Sequence, residues 1–164
     1  MATTQTPLPE KLGSEHSKQA LRLWLRLLTT STEIEKLIRG NLTREFGTTL
    51  PRFDILAALD RNPEGLTMGA LSKLLMVSNG NVTGLVDRLV QEELVEREAM
   101  EHDRRTYKVT MTKAGKRAFR KMANRHEEWL DDMLEELPNE DIEGLLKLLS
   151  RLRSSVAQRK INRD

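Results

Sequence analysis

Apolar and polar side chains separate onto opposite sides of the segment from Ser78 to Arg88. Four apolar residues recur at helical spacing and predict a buried face: Val82, Leu85, Val86 and Leu89. The residues left on the outer face are Ser78, Asn79, Asn81, Thr83, Gly84, Asp87 and Arg88. Asparagine can pair with adenine, threonine can contact a thymine methyl, and arginine can bind guanine or a phosphate. This pattern predicts a helix capped by Ser78 whose outer face contacts DNA bases.

Two glycines on this helix are unusual, because each costs a helix interior about 1 kcal/mol relative to alanine. If Gly80 and Gly84 serve a function, they allow the helix to lie close against DNA. The alternative is that packing within the protein simply tolerates them.

The preceding residues supply the other half of a helix-turn-helix. Leu71, Leu74 and Leu75 predict a two-turn helix that ends at Met76 and Val77. In a helix-turn-helix the second helix lies in the major groove and the first supports it. We therefore expect the Ser78 helix to be the recognition helix.

Alternating side chains after Leu94 predict a β-hairpin. Val95, Arg97 and Ala99 alternate with acidic residues on one strand, and Tyr107, Val109 and Met111 alternate with Thr106, Lys108 and Thr110 on the other. Arg104 and Arg105 lie at the polar tip, and arginine on a protruding loop suits the negative potential of a narrow minor groove. Asp103 could hold the Arg105 guanidinium by a charge-assisted hydrogen bond. The alternative for an isolated Asp-Arg-Arg is a solvated turn, but its place after a helix-turn-helix favours DNA contact.

The remaining helical segments carry more apolar surface than one small lobe can bury. They cover residues 17–46, 113–137 and 139–157, and Pro138 separates the last two. We expect these helices to form a homodimer, with Trp24 and Trp129 as anchors at its interface. The predicted fold is mostly α with a small β-hairpin wing: a winged helix-turn-helix lobe over 48–112 and a helical dimerisation region over 17–47 and 113–157. Residues 1–16 and 158–164 are predicted to be tails.

Composition excludes several kinds of site. The 164 residues include no cysteine, so disulfides and cysteine metal sites are ruled out. The three histidines, His16, His102 and His126, are scattered, so we expect no metal and no cofactor. No phosphate loop or nucleophile–base pair indicates an enzyme. No apolar run has the length of a signal peptide or a membrane span, so we expect a cytoplasmic protein without membrane contact.

Charge gives the best support for an alternative function. The net charge of the chain is +2, but residues 66–112 contain six basic and seven acidic residues, a net charge of −1. A winged-helix module that binds protein rather than DNA would also have this composition.

The segment from Leu50 to Gly115 resembles the MarR (multiple-antibiotic-resistance regulator) family of bacterial transcription factors. The residues that carry the resemblance are Leu50–Leu56, Val77-Ser78, Asn81–Thr83, Leu85–Leu89, Leu94–Arg97, Asp103–Arg105 and Thr112–Gly115. With the flanking helices, the resemblance covers about residues 17–157. Two residues depart from the family pattern. Met76 stands where a turn glycine is common, which predicts a non-glycine residue with positive φ, and Ser72 replaces a small apolar residue.

This resemblance implies a ligand-responsive regulator, expected to be a repressor, that binds a near-palindromic operator in double-stranded DNA. It implies major-groove contacts by the recognition helix, minor-groove entry by Arg105, and an effector pocket between the dimerisation helices and the lobe. The predicted pocket residues are Trp24, Leu28, Phe53 and Leu56 as walls, with Arg39, Arg44 or Arg52 holding a carboxylate or phosphate. Leu75–Arg88 is similar to regulators of aromatic-acid breakdown, so the expected effector is an aromatic acid or its coenzyme A thioester.

Overall fold

The computed structural model describes the backbone of residues 15–100 and 103–161, and their side chains except those of residues 100, 103–106, 160 and 161. Six helices and three strands follow in this order: α1 (Glu15–Phe46), α2 (Leu50–Arg61), β1 (Leu66–Thr67), α3 (Met68–Leu75), α4 (Asn79–Gln91), β2 (Val95–Met100), β3 (Asp103–Met111), α5 (Lys113–Leu134) and α6 (Asn139–Ile161). The chain divides into two compact units, Met1–Met122 and Ala123–Asp164, and α5 contributes residues to both.

Helix α2 forms the centre of the first unit's core. Thr49 is its N-cap in an extended conformation, and Pro51 lies in the first turn, where a missing N–H costs no hydrogen bond. The Thr49 side chain makes no capping hydrogen bond, so Pro51 contributes more than Thr49 to starting the helix here. Ile55, Leu56 and Leu59 are at most 2% exposed. The lobe therefore packs around a helix that is apolar on most of its surface.

The turn between α3 and α4 agrees with the sequence analysis. Met76 adopts the left-handed conformation with φ of 55°, as expected for a residue that replaces the turn glycine. This conformation costs a non-glycine residue roughly 1–2 kcal/mol. Ser72 compensates for part of it, because its hydroxyl donates a 2.6 Å hydrogen bond to the carbonyl of Val77 across the turn. The second departure from the family pattern thus stabilises the first.

Three antiparallel strands form the sheet, in the order β1-β3-β2. The predicted hairpin is present, with Val95 opposite Met111 and Arg97 opposite Val109. Strand β1 was not predicted; it pairs Leu66 with Val109 on the other side of β3. We call the β2–β3 hairpin the wing.

The start of α5 is tied closely to the end of the α4 region. The Thr112 hydroxyl accepts a 2.9 Å hydrogen bond from the N–H of Gly115 and donates a 2.7 Å bond to the carbonyl of Glu93. A Cβ atom at Gly115 would lie 1.9 Å from the carbonyl oxygen of Leu94, so only glycine fits there. This contact fixes the chain between α4 and β2 against α5.

The long helices differ slightly from their predicted limits. Among the described residues, α1 is helical from Glu15, so residues 15 and 16 of the predicted tail are helical, and α6 is helical to Ile161 instead of ending at 157. In the second unit, Trp129 is 5% exposed in a single chain and its ring receives the Arg125 guanidinium at 5.8 Å. The place of Trp129 at a dimer interface stays a prediction. No helix among the described residues is long and apolar enough to cross a membrane.

Candidate nucleic-acid interface

Helix α4 has the two faces that the sequence predicts. Val82, Val86 and Leu89 are fully buried, and Leu85 is partly buried. The outer positions Ser78, Asn79, Asn81, Thr83, Gly84 and Arg88 are all exposed. The Ser78 hydroxyl accepts a hydrogen bond from the N–H of Asn81 at 3.4 Å and caps the helix as predicted. The N-terminal half of α4 thus has an accessible polar surface, while the buried apolar side chains of α4 anchor the helix in the core.

Neither glycine of α4 is required by packing within the chain. A Cβ atom at Gly80 or Gly84 would meet no atom within 4 Å, and neither residue has positive φ. Gly115, by contrast, is enforced by the backbone of Leu94. Packing in the described chain would therefore accept a larger residue at either position.

Two of the predicted DNA-contact residues already have partners within the protein. Asp87 is partly buried, and its carboxylate lies 2.7 Å from a guanidinium nitrogen of Arg97 on β2. The Thr83 hydroxyl donates a 2.8 Å hydrogen bond to the carbonyl of Asn79. Asp87 thus joins the wing to the recognition helix. Because the hydroxyl of Thr83 is already hydrogen-bonded, its methyl group is the part available to contact a base.

The wing tip carries the remaining predicted contacts. The backbone of Asp103, Arg104 and Arg105 belongs to β3, whereas their side chains lie outside the described part of the structure. The pairing of Asp103 with Arg105 therefore stays a prediction. At the described end of the wing, Tyr107 is 46% exposed.

A cavity of about 550 Å³ lies within the first unit, a volume typical of small-molecule sites. Its lining comes from the end of α1, from α2, from the end of α4 and from α5: Phe46, Gly47, Thr48, Arg52, Leu56, Glu92, Leu94, Ala114, Arg117, Ala118, Lys121 and Met122. Three cationic side chains and one carboxylate line it, so its net charge is +2 when all four are ionised. The cavity thus combines apolar walls with a positive charge, which suits an amphipathic anion.

Arg52 is the most buried of these cations. Its side chain is 11% exposed and forms an ion pair with the carboxylate of Glu92. Burial and, secondarily, the charge of Arg88 lower the pKa of Arg52 from its usual value. Its Nε has no hydrogen-bond partner among the described residues. Arg52 therefore depends strongly on the acid beside it.

The structure brings together two of the seven residues predicted for the effector pocket, Arg52 and Leu56. Phe53 is buried and packs on Phe119, with ring centroids 5.5 Å apart, and does not line the cavity. The other four lie on α1 and do not line it either: Trp24, Leu28, Arg39 and Arg44. Trp24 is 57% exposed and Leu28 45%. Arg39 pairs with Glu35, and Arg44 donates a 2.7 Å hydrogen bond to Asn41.

Sequence analysis missed Arg117, Lys121 and Glu92. A signal for the first two was present, since they are four residues apart on α5 and lie beside Ala114 and Ala118 on the same helical face. Small residues beside two cations leave room for a ligand. Glu92 gave no comparable signal, because its partner Arg52 is remote in sequence. Among the described residues, no cluster of three or more His, Cys, Asp or Glu could hold a metal ion.

Comparisons with known proteins agree with this architecture. Residues 46–106 match the MarR family. The transcriptional activatory protein BadR of Rhodopseudomonas palustris is 35% identical over 106 residues, which cover 63% of this chain and 60% of BadR, so the chain spans about three fifths of that relative's length. The HTH-type transcriptional regulator YcgE of Bacillus subtilis is 31% identical over 139 residues, covering 84% of this chain and 86% of YcgE.

The crystal structure of a MarR family transcriptional regulator from Silicibacter pomeroyi superimposes with a TM-score of 0.75 at 31% identity, covering 87% of this chain and 99% of that one. These proteins are transcriptional regulators rather than enzymes, in agreement with the sequence analysis. The chain belongs to the MarR family of winged helix-turn-helix transcriptional regulators.

Proposed function

We propose that this protein is a homodimer that binds a near-palindromic DNA operator and represses transcription until an anionic effector releases it. The observation that carries the proposal is the outer face of α4. It is capped, exposed and open beside Gly80 and Gly84, and it rests on a buried apolar face. A helix of this kind fits a major groove, and a two-fold pair of them reads a palindrome.

Exposed apolar side chains on α1 and α6 are the evidence for a dimer. On α1, the side chains of Leu21, Leu23, Trp24, Leu25 and Leu28 are 45–57% exposed in the single chain. On α6, those of Leu145, Leu146, Leu148 and Leu149 are 43–60% exposed. Several exposed apolar side chains along one helix are typical of an interaction site. We infer that a second copy of the chain covers these side chains.

DNA binding is tested by a gel shift with the DNA upstream of the protein's own gene. An arginine that contacts a base edge contributes about 1–3 kcal/mol in known complexes, and we expect a loss of similar size for Arg105→Ala, which should weaken binding at least about tenfold. Arg120→Ala removes the same charge from an exposed position on α5 and serves as the control. Absence of binding at low salt would refute the proposal, and equal affinities for both variants would show that the wing makes no contact.

The second candidate function is a winged-helix module that binds protein and not DNA. The net charge of −1 over residues 66–112 favours it. The salt dependence of the association constant K separates the two functions. Phosphate contacts make log K fall steeply with the logarithm of salt concentration, whereas an apolar protein interface gives a shallow fall. A steep slope supports the DNA-binding regulator.

For the effector, the cavity supports an aromatic acid, or its coenzyme A thioester with the acyl end inside. Benzoate, benzamide and benzoyl-coenzyme A are suitable probes in a thermal-shift assay, because a selective ligand stabilises the native state. We expect benzoate to stabilise the protein more than neutral benzamide, and Arg117→Gln to reduce the difference. Arg39→Gln on α1 is the matched control, since Arg39 lies outside the cavity. Stabilisation by benzamide equal to that by benzoate would exclude charge recognition.

The direction of regulation is tested separately with a reporter gene under the protein's own promoter. BadR is named as an activatory protein, so family membership alone does not determine the sign. Deletion of the gene should raise reporter output if the protein represses. Lower output after deletion would assign it activation instead.

A further inference from the structure

Glu92 lies directly after the recognition helix and also lines the cavity. It follows the last residue of α4 as its C-cap, where its N–H donates a 3.0 Å hydrogen bond to the carbonyl of Arg88. Its carboxylate pairs with Arg52 on α2 and lines the cavity. A change in the partner of Arg52 therefore acts directly on the end of the recognition helix.

The two partners of this ion pair differ in how much they need each other. The Arg52 side chain is 11% exposed and that of Glu92 is 46% exposed. A buried charge that loses its partner is strongly destabilised, whereas a half-exposed carboxylate is solvated again by water. Arg88 adds a repulsive charge near Arg52. An anion that enters the cavity can thus replace Glu92 as the partner of Arg52, and Glu92 can leave.

The backbone next to Glu92 is already strained. Glu93 has φ of 59°, and like Met76 in the turn before α4 it is a non-glycine residue in the left-handed region. Its carbonyl accepts the hydrogen bond from Thr112. The end of α4 is therefore held from two sides, by Thr112 through the backbone and by Arg52 through the Glu92 side chain. Loss of the second contact removes the ion pair to α2 and leaves the strained turn held through its backbone alone.

We propose that the Arg52–Glu92 ion pair is a latch that holds α4 in its DNA-binding position, and that a small carboxylate in the cavity opens it by taking Arg52. This inference rests on the proposed function and specifies how the effector site would regulate it. Arg52 and Glu92 are positioning residues here, since neither needs to touch DNA.

The test compares Glu92→Gln with Glu93→Gln, a neighbouring exposed acid that does not line the cavity. Without ligand, we expect Glu92→Gln to weaken operator binding about five- to tenfold, in the range of ordinary allosteric coupling, and Glu93→Gln to change it less than about twofold. Benzoate should weaken DNA binding by the wild-type protein and have almost no further effect on Glu92→Gln. Its affinity for Glu92→Gln should rise about threefold, because a competitor for Arg52 is gone.

A structural readout accompanies these affinities. Amide hydrogen exchange at residues 92–94 should become severalfold faster in Glu92→Gln, and in the wild-type protein with benzoate. Circular dichroism confirms that both variants are folded. A double-mutant cycle with Arg52→Gln should show that the two changes are not additive.

The outcomes distinguish the latch from the proposed function. Equal DNA affinity and equal exchange for the two glutamine variants would overturn the latch, while DNA binding by the wild-type protein would still support the regulator. If the wild-type protein does not bind DNA, both proposals are wrong. If Glu92→Gln binds DNA more weakly and still responds fully to benzoate, the ion pair is a structural support and the latch is overturned.

Discussion

The winged lobe buries leucines that lie on its helices, whereas α1 and α6 each expose several leucines. Within the lobe, Leu56, Leu71 and Leu89 are at most 1% exposed in a single chain. On α1 and α6, Leu25 and Leu146 are 50% and 60% exposed. Single exposed leucines are ordinary, but a row of them along a helix is not. The lobe thus completes its core alone, whereas α1 and α6 carry apolar surface that a single chain does not bury.

This difference separates the two tasks of the proposed regulator. A lobe with its own core can present α4 and the wing as one rigid surface, because Asp87 joins them through Arg97. Helices with an unburied apolar face are suited to set the distance between two such lobes. The comparison therefore predicts that variants in the two regions fail in different ways.

The largest effect is expected in the lobe core. Leu71→Ala on α3 removes a fully buried side chain, so it should lower the free energy of unfolding by about 2–5 kcal/mol. Leu74→Ala on the same helix is the control. Because Leu74 is 52% exposed, this substitution should lower the free energy of unfolding far less. Urea denaturation at several protein concentrations measures both. Similar costs for the two variants would contradict the view that the lobe core is complete within one chain.

Local sequence signals were enough to predict the lobe. The spacing of Val82, Val86 and Leu89 by four and three residues and the cap at Ser78 determine α4 through contacts close in sequence. The positive φ of Met76 was implied by the family resemblance, in which a turn glycine is common at this position. Strand β1 was missed because two residues are too few to show a period of two, and its partner Val109 is distant in the sequence.

The cavity could not be predicted in the same way. Arg52, Glu92 and Arg117 come from three separate elements, and no spacing along the chain records that they meet. The prediction included Arg52, but it placed beside it two arginines of α1, Arg39 and Arg44, whose partners are local. Helical periodicity shows which face of α1 is apolar, but it does not distinguish a ligand pocket from a protein interface.

An intermediate effect is expected on assembly. Leu146→Glu places a charge on the exposed apolar face of α6, so we expect the dissociation constant of the dimer to rise at least about tenfold, or about 1.4 kcal/mol. Sedimentation velocity over a range of concentrations measures it. Ser155→Glu adds the same charge at another exposed position, roughly on the opposite side of α6. If Leu146→Glu leaves a dimer intact, α6 is not part of the interface.

The smallest effect has opposite signs on folding and on binding. Gly84→Ala should raise the free energy of unfolding by about 0.5–1 kcal/mol, because alanine favours helix and nothing in the described chain lies within 4 Å of the new methyl group. If α4 lies close against DNA, the same methyl group should weaken operator binding by about 1 kcal/mol, roughly fivefold. Gly40→Ala on α1 has equally open surroundings and should stabilise the protein without this loss.

Thermal unfolding and a gel shift on both alanine variants decide the role of Gly84. A more stable Gly84→Ala protein that still binds its operator as tightly as the wild type would show that packing merely tolerates this glycine. A loss of affinity confined to Gly84→Ala would mean that glycine is needed for the close approach of α4 to DNA, although it makes the folded protein less stable than alanine would. The glycine would then be kept for binding, because the lobe's own core places no demand on that position.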